Sequence, residues 1–212
     1  MPNLSQNIDK CLFSKRDTSL FVGSSVLGND SKENQLIKDL APKHKITAIE
    51  FSATKSTNFE DIIQCLYYEV EMLIGYSVQK SLARFSDEQK VFVLAELLKD
   101  CILVFHNIKT IDQKLMVELQ RLSLTLKRYT RARLRLMFFC EEDNFDYCID
   151  AGLRMEYIKF YFADVSEDTI EELQHAVDVE IKLERRGVER FLGDYIESVK
   201  LRPRVKSFLG YS

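Results

Sequence analysis

The sequence predicts an α/β fold in which helices flank a five-stranded parallel sheet and a small helical subdomain follows at the C-terminus. Short apolar runs alternate along the chain with segments in which apolar residues recur at helical spacing. One of these runs, Cys101 to Phe105, is apolar throughout, which is typical of a central parallel strand covered on both faces. Beyond Ser166 only helical patterns remain.

The N-terminal half predicts strand, helix, strand and then two helices. Ser19 to Gly23 is a short, largely apolar run that ends in glycine, and Ser31 to Leu40 follows with its apolar residues on one side. Ile46 to Phe51 is β-branched and apolar enough for the second strand. Apolar residues then repeat at helical spacing from Phe59 to Leu73, and a capping-box pattern at 86–89 begins another helix.

The C-terminal half contains the other three predicted strands. Cys101 to Phe105 is the third strand, and a helix from about Ile111 follows it. Leu134 to Phe139 and Tyr157 to Phe162 are the fourth and fifth strands, and helices between strands in this order specify right-handed parallel crossovers. Residues 1–165 are therefore predicted to form the α/β domain, and residues 166–212 the helical subdomain.

Charge and hydropathy exclude several classes of protein. The chain has 30 Lys and Arg against 33 Asp and Glu, so its net charge of −3 provides no overall attraction for nucleic acid or an anionic membrane. The start of the chain is polar and contains Asp9, unlike a secretory signal, and no run approaches the ~18 apolar residues of a membrane span. We therefore expect a cytoplasmic protein without membrane insertion.

The chain has five cysteines, an odd number, widely spaced and without a CxxC pair. They are predicted to be reduced core thiols rather than a disulfide or metal framework. The cysteines are Cys11, Cys65, Cys101, Cys140 and Cys148.

The loop after the first strand has the spacing of a phosphate-binding loop without its charged residues. Parallel sheets bind ligands at the carboxyl ends of their strands, and Gly23 and Gly28 stand there with G-x4-G spacing. A working loop continues with Lys and then Ser or Thr, whereas this chain has Asn29 and Asp30. Asparagine has no positive charge and aspartate repels phosphate. The loop is predicted to be a degenerate, non-functional phosphate loop, and the alternative is two glycines that only form a tight turn.

The end of the third strand departs from the same chemistry independently. Magnesium-dependent NTPases place Asp and commonly Glu there, the first to organise the metal and the second to polarise water. This chain has His106 and Asn107. A histidine is a poor magnesium ligand, so His106 is interpreted as a strand-end histidine hydrogen-bonded to a neighbouring loop, with catalysis as the alternative.

With these motifs the chain resembles the AAA-type P-loop ATPases, in particular the group that includes the bacteriophage Mu B transposition protein and the general-secretion-pathway A ATPases. The third strand matches the Walker B strand, and Leu136 to Phe139 resembles the sensor-one strand, with Cys140 or Glu141 at the position of the sensing residue. Gly23 and Gly28 match the Walker A glycines, and Arg204 matches the sensor-two arginine.

The resemblance implies a sheet of order 5-1-4-3-2, a helical lid and a bacterial protein. Active members bind ATP, oligomerise and act on DNA or on secretion partners. Because the charged residues are absent, the chain is predicted to be a pseudo-ATPase, not an enzyme and without a cofactor, that acts as an interaction or regulatory module on a protein partner. The alternative is a nucleotide-dependent ATPase subunit or a DNA-binding accessory protein. A homo-oligomer stays open, and nucleic acid is not favoured.

Two charged clusters follow one another in the second half of the chain. Six cations lie between Glu118 and Glu141 without an acidic residue, either as a patch for a protein partner or nucleic acid or as a solvated helix end. Four acidic residues come next, either as a metal site or, as we favour, as a helix start. The basic run is Arg121, Lys127, Arg128, Arg131, Arg133 and Arg135, and the acidic cluster is Glu141, Glu142, Asp143 and Asp146.

Overall fold

The computed structural model describes residues 4–23, 32–52, 54–163 and 165–182. Five parallel strands form one sheet in the order β2-β3-β4-β1-β5. Viewed from the other edge this is the order 5-1-4-3-2 that the resemblance to P-loop ATPases implies, so the expected α/β fold is confirmed. The strands are Thr18–Gly23 (β1), Thr47–Phe51 (β2), Asp100–Phe105 (β3), Arg133–Glu141 (β4) and Ile158–Ala163 (β5).

Helices connect the strands and cover both faces of the sheet. Between them lie short 3-10 helices at Pro42–His44, Ile108–Thr110, Glu142–Asn144 and Met155–Tyr157. The α-helices are Leu4–Leu12 (α1), Lys32–Leu40 (α2), Phe59–Ile74 (α3), Gln79–Leu82 (α4), Asp87–Leu98 (α5), Gln113–Tyr129 (α6), Phe145–Asp150 (α7) and residues 167–182 (α8).

Local capping explains where the helices of the centre begin. The predicted capping box before α5 is confirmed, because Ser86 and Gln89 each accept a hydrogen bond from the other's backbone N–H. The start of α6 differs from the predicted Ile111. A parallel bridge with Thr57 holds Ile111 extended, and Asp112 caps the helix by accepting the N–H groups of the residues that follow.

Alternating residues of the central strands enter two separate cores. Phe105 and Phe138 stack at 5.2 Å between ring centroids on the face covered by α3, α5 and α6. Val104 and Phe139 point to the opposite face, which α1 and α2 cover. This doubly covered arrangement explains why the β3 sequence is apolar at successive positions.

The N-terminal helix α1 was not expected from the polar composition of the first residues. Ile8, Cys11 and Leu12 are its buried apolar residues, at spacing i, i+3, i+4. That spacing is a helical signal, although nine residues give it only one repeat.

The segment predicted to begin a helical subdomain at Ser166 forms α8 in its described part. Leu173, Val177 and Ile181 of this helix pack against the larger of the two cores. Residues 183–212 lie outside the described residues, so the division into two domains stays a prediction. Within the described residues, no helix is long and apolar enough to cross a membrane.

A buried carboxylate joins the starts of the strands. Asp17, directly before β1, has only 2% of its side chain exposed, and Arg133, the first residue of β4, donates to its Oδ1 from two guanidinium nitrogens. Lys127, in the last turn of α6, lies 2.7 Å from Asp17 Oδ2. Arg135 forms a similar two-point pair with Asp100, at 2.8 and 2.7 Å. Carboxylates at the starts of β1 and β3 are therefore each paired with an arginine near the start of the neighbouring strand β4.

These cations also hold the end of α1 and the chain that leaves it. Arg135 Nη1 donates to the carbonyl of Leu12, Arg133 Nη2 to that of Ser14 and Lys127 Nζ to that of Lys15. The last carbonyls of a helix lack partners within it, so these cations satisfy backbone groups as well as carboxylates.

Replacement of Asp17 should test this network. Asp17→Asn leaves two cations beside a neutral amide, and we expect the free energy of unfolding in urea to fall by about 3–5 kcal/mol. Glu88→Gln is the matched control, because Glu88 pairs with Arg121 at 3.0 Å where both side chains are largely exposed. The control should lose less than about 1 kcal/mol, and equal losses in the two variants would contradict the structural role of Asp17.

Candidate functional site

The carboxyl ends of the strands bring the predicted motif positions to one edge of the sheet. Gly23, which ends β1, pairs with Glu141 at the end of β4. Phe105, which ends β3, pairs with Phe138. The described parts of the Walker A, Walker B and sensor-one positions are thus neighbours, as a parallel sheet requires.

At the end of β3, His106 is buried rather than open to the edge. Only 1% of its side chain is exposed, and its ring stacks on Phe139 with centroids 5.5 Å apart and planes 14° apart. Its Nε2 lies 3.6 Å from Oε2 of Glu50, too far for a hydrogen bond. The imidazole ring therefore packs against the smaller of the two cores, with the carboxylate of Glu50 beside it.

The sequence predicts that His106 is hydrogen-bonded to a neighbouring loop. Within the part of the chain that the structure describes, this prediction is wrong. Both of its ring nitrogens and Oε1 of Glu50 are buried there without a hydrogen-bond partner. Stacking on Phe139 and the proximity of Glu50 take the place of the expected hydrogen bond.

Glu50 is the residue of this site that sequence reasoning missed. It is the next-to-last residue of β2, and its Oε2 lies 3.8 Å from Nζ of Lys38 in α2 as well as close to His106. The available signal was a carboxylate within an otherwise apolar strand, because a partly buried charge requires a nearby cation or donor.

Asn107 has a structural task in the turn after β3. Its side-chain Oδ1 accepts the backbone N–H of Lys109 at 3.0 Å and so caps the 3-10 helix. Its backbone carbonyl accepts from the hydroxyl of Thr110 at 2.7 Å and from the backbone N–H of the same residue at 3.0 Å. The position where a catalytic carboxylate is expected is therefore an N-cap asparagine.

Of the predicted phosphate loop and lid arginine, only one residue can be placed. Gly23 is the last residue of β1. The other predicted positions lie outside the described residues, and their interpretation stays a prediction: Gly28, Asn29, Asp30 and Arg204.

Cys140 and Glu141, at the predicted sensor-one position, both form hydrogen bonds with residues nearby in the sequence. The thiol of Cys140 donates to the carbonyl of Glu141 at 3.1 Å, and Glu141 Oε2 accepts from the side-chain amide of Asn144 at 3.1 Å. The acidic cluster around Glu141 continues into the 3-10 helix and α7, as the helix-start interpretation predicts. Among the described residues, no three His, Cys, Asp or Glu side chains lie close enough to share a metal ion.

The cysteines are free thiols, and burial raises the pKa of several of them. All five are free, and only Cys65 is not fully buried, in agreement with the prediction of reduced core thiols. Burial raises the pKa of Cys11 to about 11 and that of Cys101 to about 12. A hydrogen bond with Cys140, and then burial, raise the pKa of Cys148. None of these three thiols is activated as a nucleophile.

The basic run is divided between the inside and the outside of the fold. Arg133 and Arg135 are paired with Asp17 and Asp100 at the amino ends of the strands, away from the carboxyl edge. Arg131 is exposed and precedes β4, which begins at Arg133. A six-residue partner patch stays a prediction, but four of its cations have intramolecular carboxylate partners: Arg121, Lys127, Arg133 and Arg135.

Comparison with known proteins adds a fold likeness alone. No protein-family model matches the sequence, and no curated protein matches it. A Walker-type ATPase of Pyrococcus abyssi is similar in structure, with a TM-score of 0.45 and 12% identity, over 94% of this chain and 75% of that chain. The Drosophila ORC bound to poly(dA/dT) DNA and Cdc6 is also similar, with a TM-score of 0.44 and 10% identity, over 82% of this chain and 30% of that chain. At these values neither likeness indicates what this chain binds or does.

Substitution of His106 should test its packing role beside Phe139 and Glu50. His106→Asp places a second buried carboxylate beside Glu50, and we expect the free energy of unfolding to fall by about 3 kcal/mol or more. His106→Phe keeps a ring against Phe139 and should change stability by less than about 1.5 kcal/mol. Urea unfolding followed by circular dichroism measures both. A His106→Asp variant as stable as the parent would contradict the described environment.

The buried thiol of Cys101 predicts a loss of stability at alkaline pH. Its pKa is raised from 9.0 to about 12 in the fold, so near pH 9 the unfolded chain releases a proton that the folded chain retains. Stability should therefore fall as the pH rises from about 8 to about 10, by about 1 kcal/mol through this group. Cys101→Ala should show a correspondingly smaller decline in urea unfolding. Identical declines would show that the thiol does not contribute.

Proposed function

We propose that this chain is a non-hydrolysing, P-loop ATPase-like module that acts by contact with a protein partner. The observation that carries the proposal is the end of β3, where His106 is stacked in the core and Asn107 caps a turn. The sheet has the strand order of P-loop ATPases. At the two positions after β3, however, His106 packs in the core and Asn107 caps the backbone.

Hydrolysis requires an oxygen-rich site for magnesium at this place. Magnesium prefers carboxylate, phosphate and water oxygens, whereas imidazole nitrogen suits zinc, copper or iron. Glu50 is the carboxylate closest to His106 among the described contacts, and its Oε2 lies within 4 Å of the side chains of His106 and Lys38. Glu50 is thus oriented toward Lys38 and the ring of His106.

The phosphate loop supports the same conclusion from a different part of the sequence. Asn29 and Asp30 stand where lysine and a hydroxyl residue are needed, so a negative charge takes the place of a positive one. Two independent changes, in the loop and after β3, make loss of hydrolysis the simplest explanation.

Exposed apolar side chains support a role in protein contact. Tyr68, Met72, Leu73 and Tyr76 are 63–69% exposed, and the first three belong to α3. A group of large apolar side chains in solvent is a feature of surfaces that bind other proteins.

Calorimetry and phosphate release test the proposal directly. Titration of ATP with magnesium into the purified chain should give no binding with a Kd in the micromolar range, and phosphate release should equal that of a protein-free blank. An active P-loop ATPase measured in the same buffer is the control. Magnesium-dependent micromolar binding, or release above the blank, would favour the alternative of a nucleotide-dependent ATPase subunit.

A further inference from the structure

We propose that the outer side of α6 forms a groove that binds an acidic amphipathic helix of another protein. This inference rests on the proposed protein-contact function and specifies the chemistry of the partner. The groove has a volume of about 350 Å³ and lies between α6 and the turn at residues 152–154. Its apolar part is formed by Val117 and Leu124, and its cations are Arg121, Arg128 and Arg154.

The two sides of the groove, α6 and the turn at residues 152–154, are linked by hydrogen bonds of one buried side chain. Gln120 is 2% exposed, and its Nε2 donates to the backbone carbonyl of Arg154 at 3.3 Å. Its Oε1 accepts the backbone N–H of Arg154 at 2.9 Å. Gly152 makes the turn possible with a positive φ of 75°. The groove is therefore formed before any ligand arrives, which lowers the entropic cost of binding.

The charge of the groove is positive without compensation from its lining. Among the residues that the structure describes, three arginines line it and no Asp or Glu does. Arg121 pairs with Glu88 at 3.0 Å, but both side chains are largely exposed, so this pair is weak and can be exchanged for a ligand carboxylate. Arg128 lies over the ring of Tyr129 at 5.4 Å, with its guanidinium still exposed on the helix. Guanidinium groups bind carboxylates by two parallel hydrogen bonds.

The spacing of the cations selects a helix as the ligand. Arg121 and Arg128 are seven residues apart on α6, which places them about 10 Å apart along its axis. Acidic residues at i and i+7 of a second helix have the same separation and lie on one face. Apolar residues at i+3 and i+4 fall between them, level with Leu124, and Val117 extends the apolar part of the groove one turn before Arg121.

The short extent of the cationic surface favours this ligand over nucleic acid. A strand of nucleic acid needs a track of cations for successive phosphates. Here the neighbouring cations Lys127, Arg133 and Arg135 are paired with Asp17 and Asp100 at the amino edge of the sheet. The groove also has an apolar floor, which suits leucine-type side chains.

Fluorescence polarisation with a labelled model peptide tests the inference. The probe is a helical peptide of about four turns with Glu at i and i+7 and Leu at i+3 and i+4. We expect saturable binding at about 50 mM salt that weakens at about 300 mM. Exchange of the two Glu for Gln, or of the two Leu for Ser, should each weaken binding at least about fivefold.

Variants of the protein locate the binding surface. Arg121→Glu with Arg128→Glu should weaken binding at least about tenfold, and the double change to Lys should give an intermediate loss. Arg131→Glu is the control within the basic run, since Arg131 is exposed but does not line the groove. Lys43→Glu is the control on the opposite face of the sheet. Both controls should change Kd by less than about twofold.

Three outcomes would overturn the inference. These are absence of peptide binding at low salt, equal weakening by the control variants, and displacement of the peptide by an oligothymidylate that binds more tightly. Unchanged circular dichroism and melting temperature of the double variant exclude a folding defect as the cause of a loss. Failure of peptide binding with ATP still unbound removes the groove inference alone, whereas ATP hydrolysis removes the proposed function.

Discussion

The ion pair between Asp17 and Arg133 sets the position from which the sheet is built. Asp17 precedes β1, Arg133 opens β4, and Lys127 brings the end of α6 to the same carboxylate. An unpaired charge in this buried place costs several kcal/mol, so the three elements meet there in one register. Because the strands are parallel, a common start at one edge also brings their carboxyl ends together at the other.

The same basic run thus serves two different purposes. Cations at the amino edge face inward, where they satisfy carboxylates, the last carbonyl of α1 and the carbonyl of Ser14 just beyond it. Arg121 and Arg128 face outward from α6 and line a groove with Arg154, which comes from a distant part of the sequence. Helical periodicity and strand alternation direct residues that are neighbours in sequence toward opposite sides of the fold. One basic segment therefore forms buried ion pairs with some of its cations and lines the proposed groove with others.

Elements with strong local signals were predictable, whereas pairings across the fold were not. The capping box of Ser86 and Gln89 and the apolar run of β3 are local patterns, and both are confirmed. Helix α1 was not predicted, because its polar residues obscured a short apolar repeat. Glu50 was missed as the neighbour of His106, because β2 and β3 are joined by about 50 residues and only their parallel register places the two side chains together.

The sequence by itself determined the fold class, the capping box of Ser86 and Gln89, and the presence of His106 and Asn107 after β3 where magnesium-dependent NTPases have carboxylates. These depend on residue type, short spacing and position after a strand. Tertiary structure decided that His106 stacks on Phe139, that Asn107 caps a turn and that Arg154 joins Arg121 and Arg128. Burial and contact between distant segments arise only when the sheet is assembled, so the final role of a charged or aromatic side chain is set there.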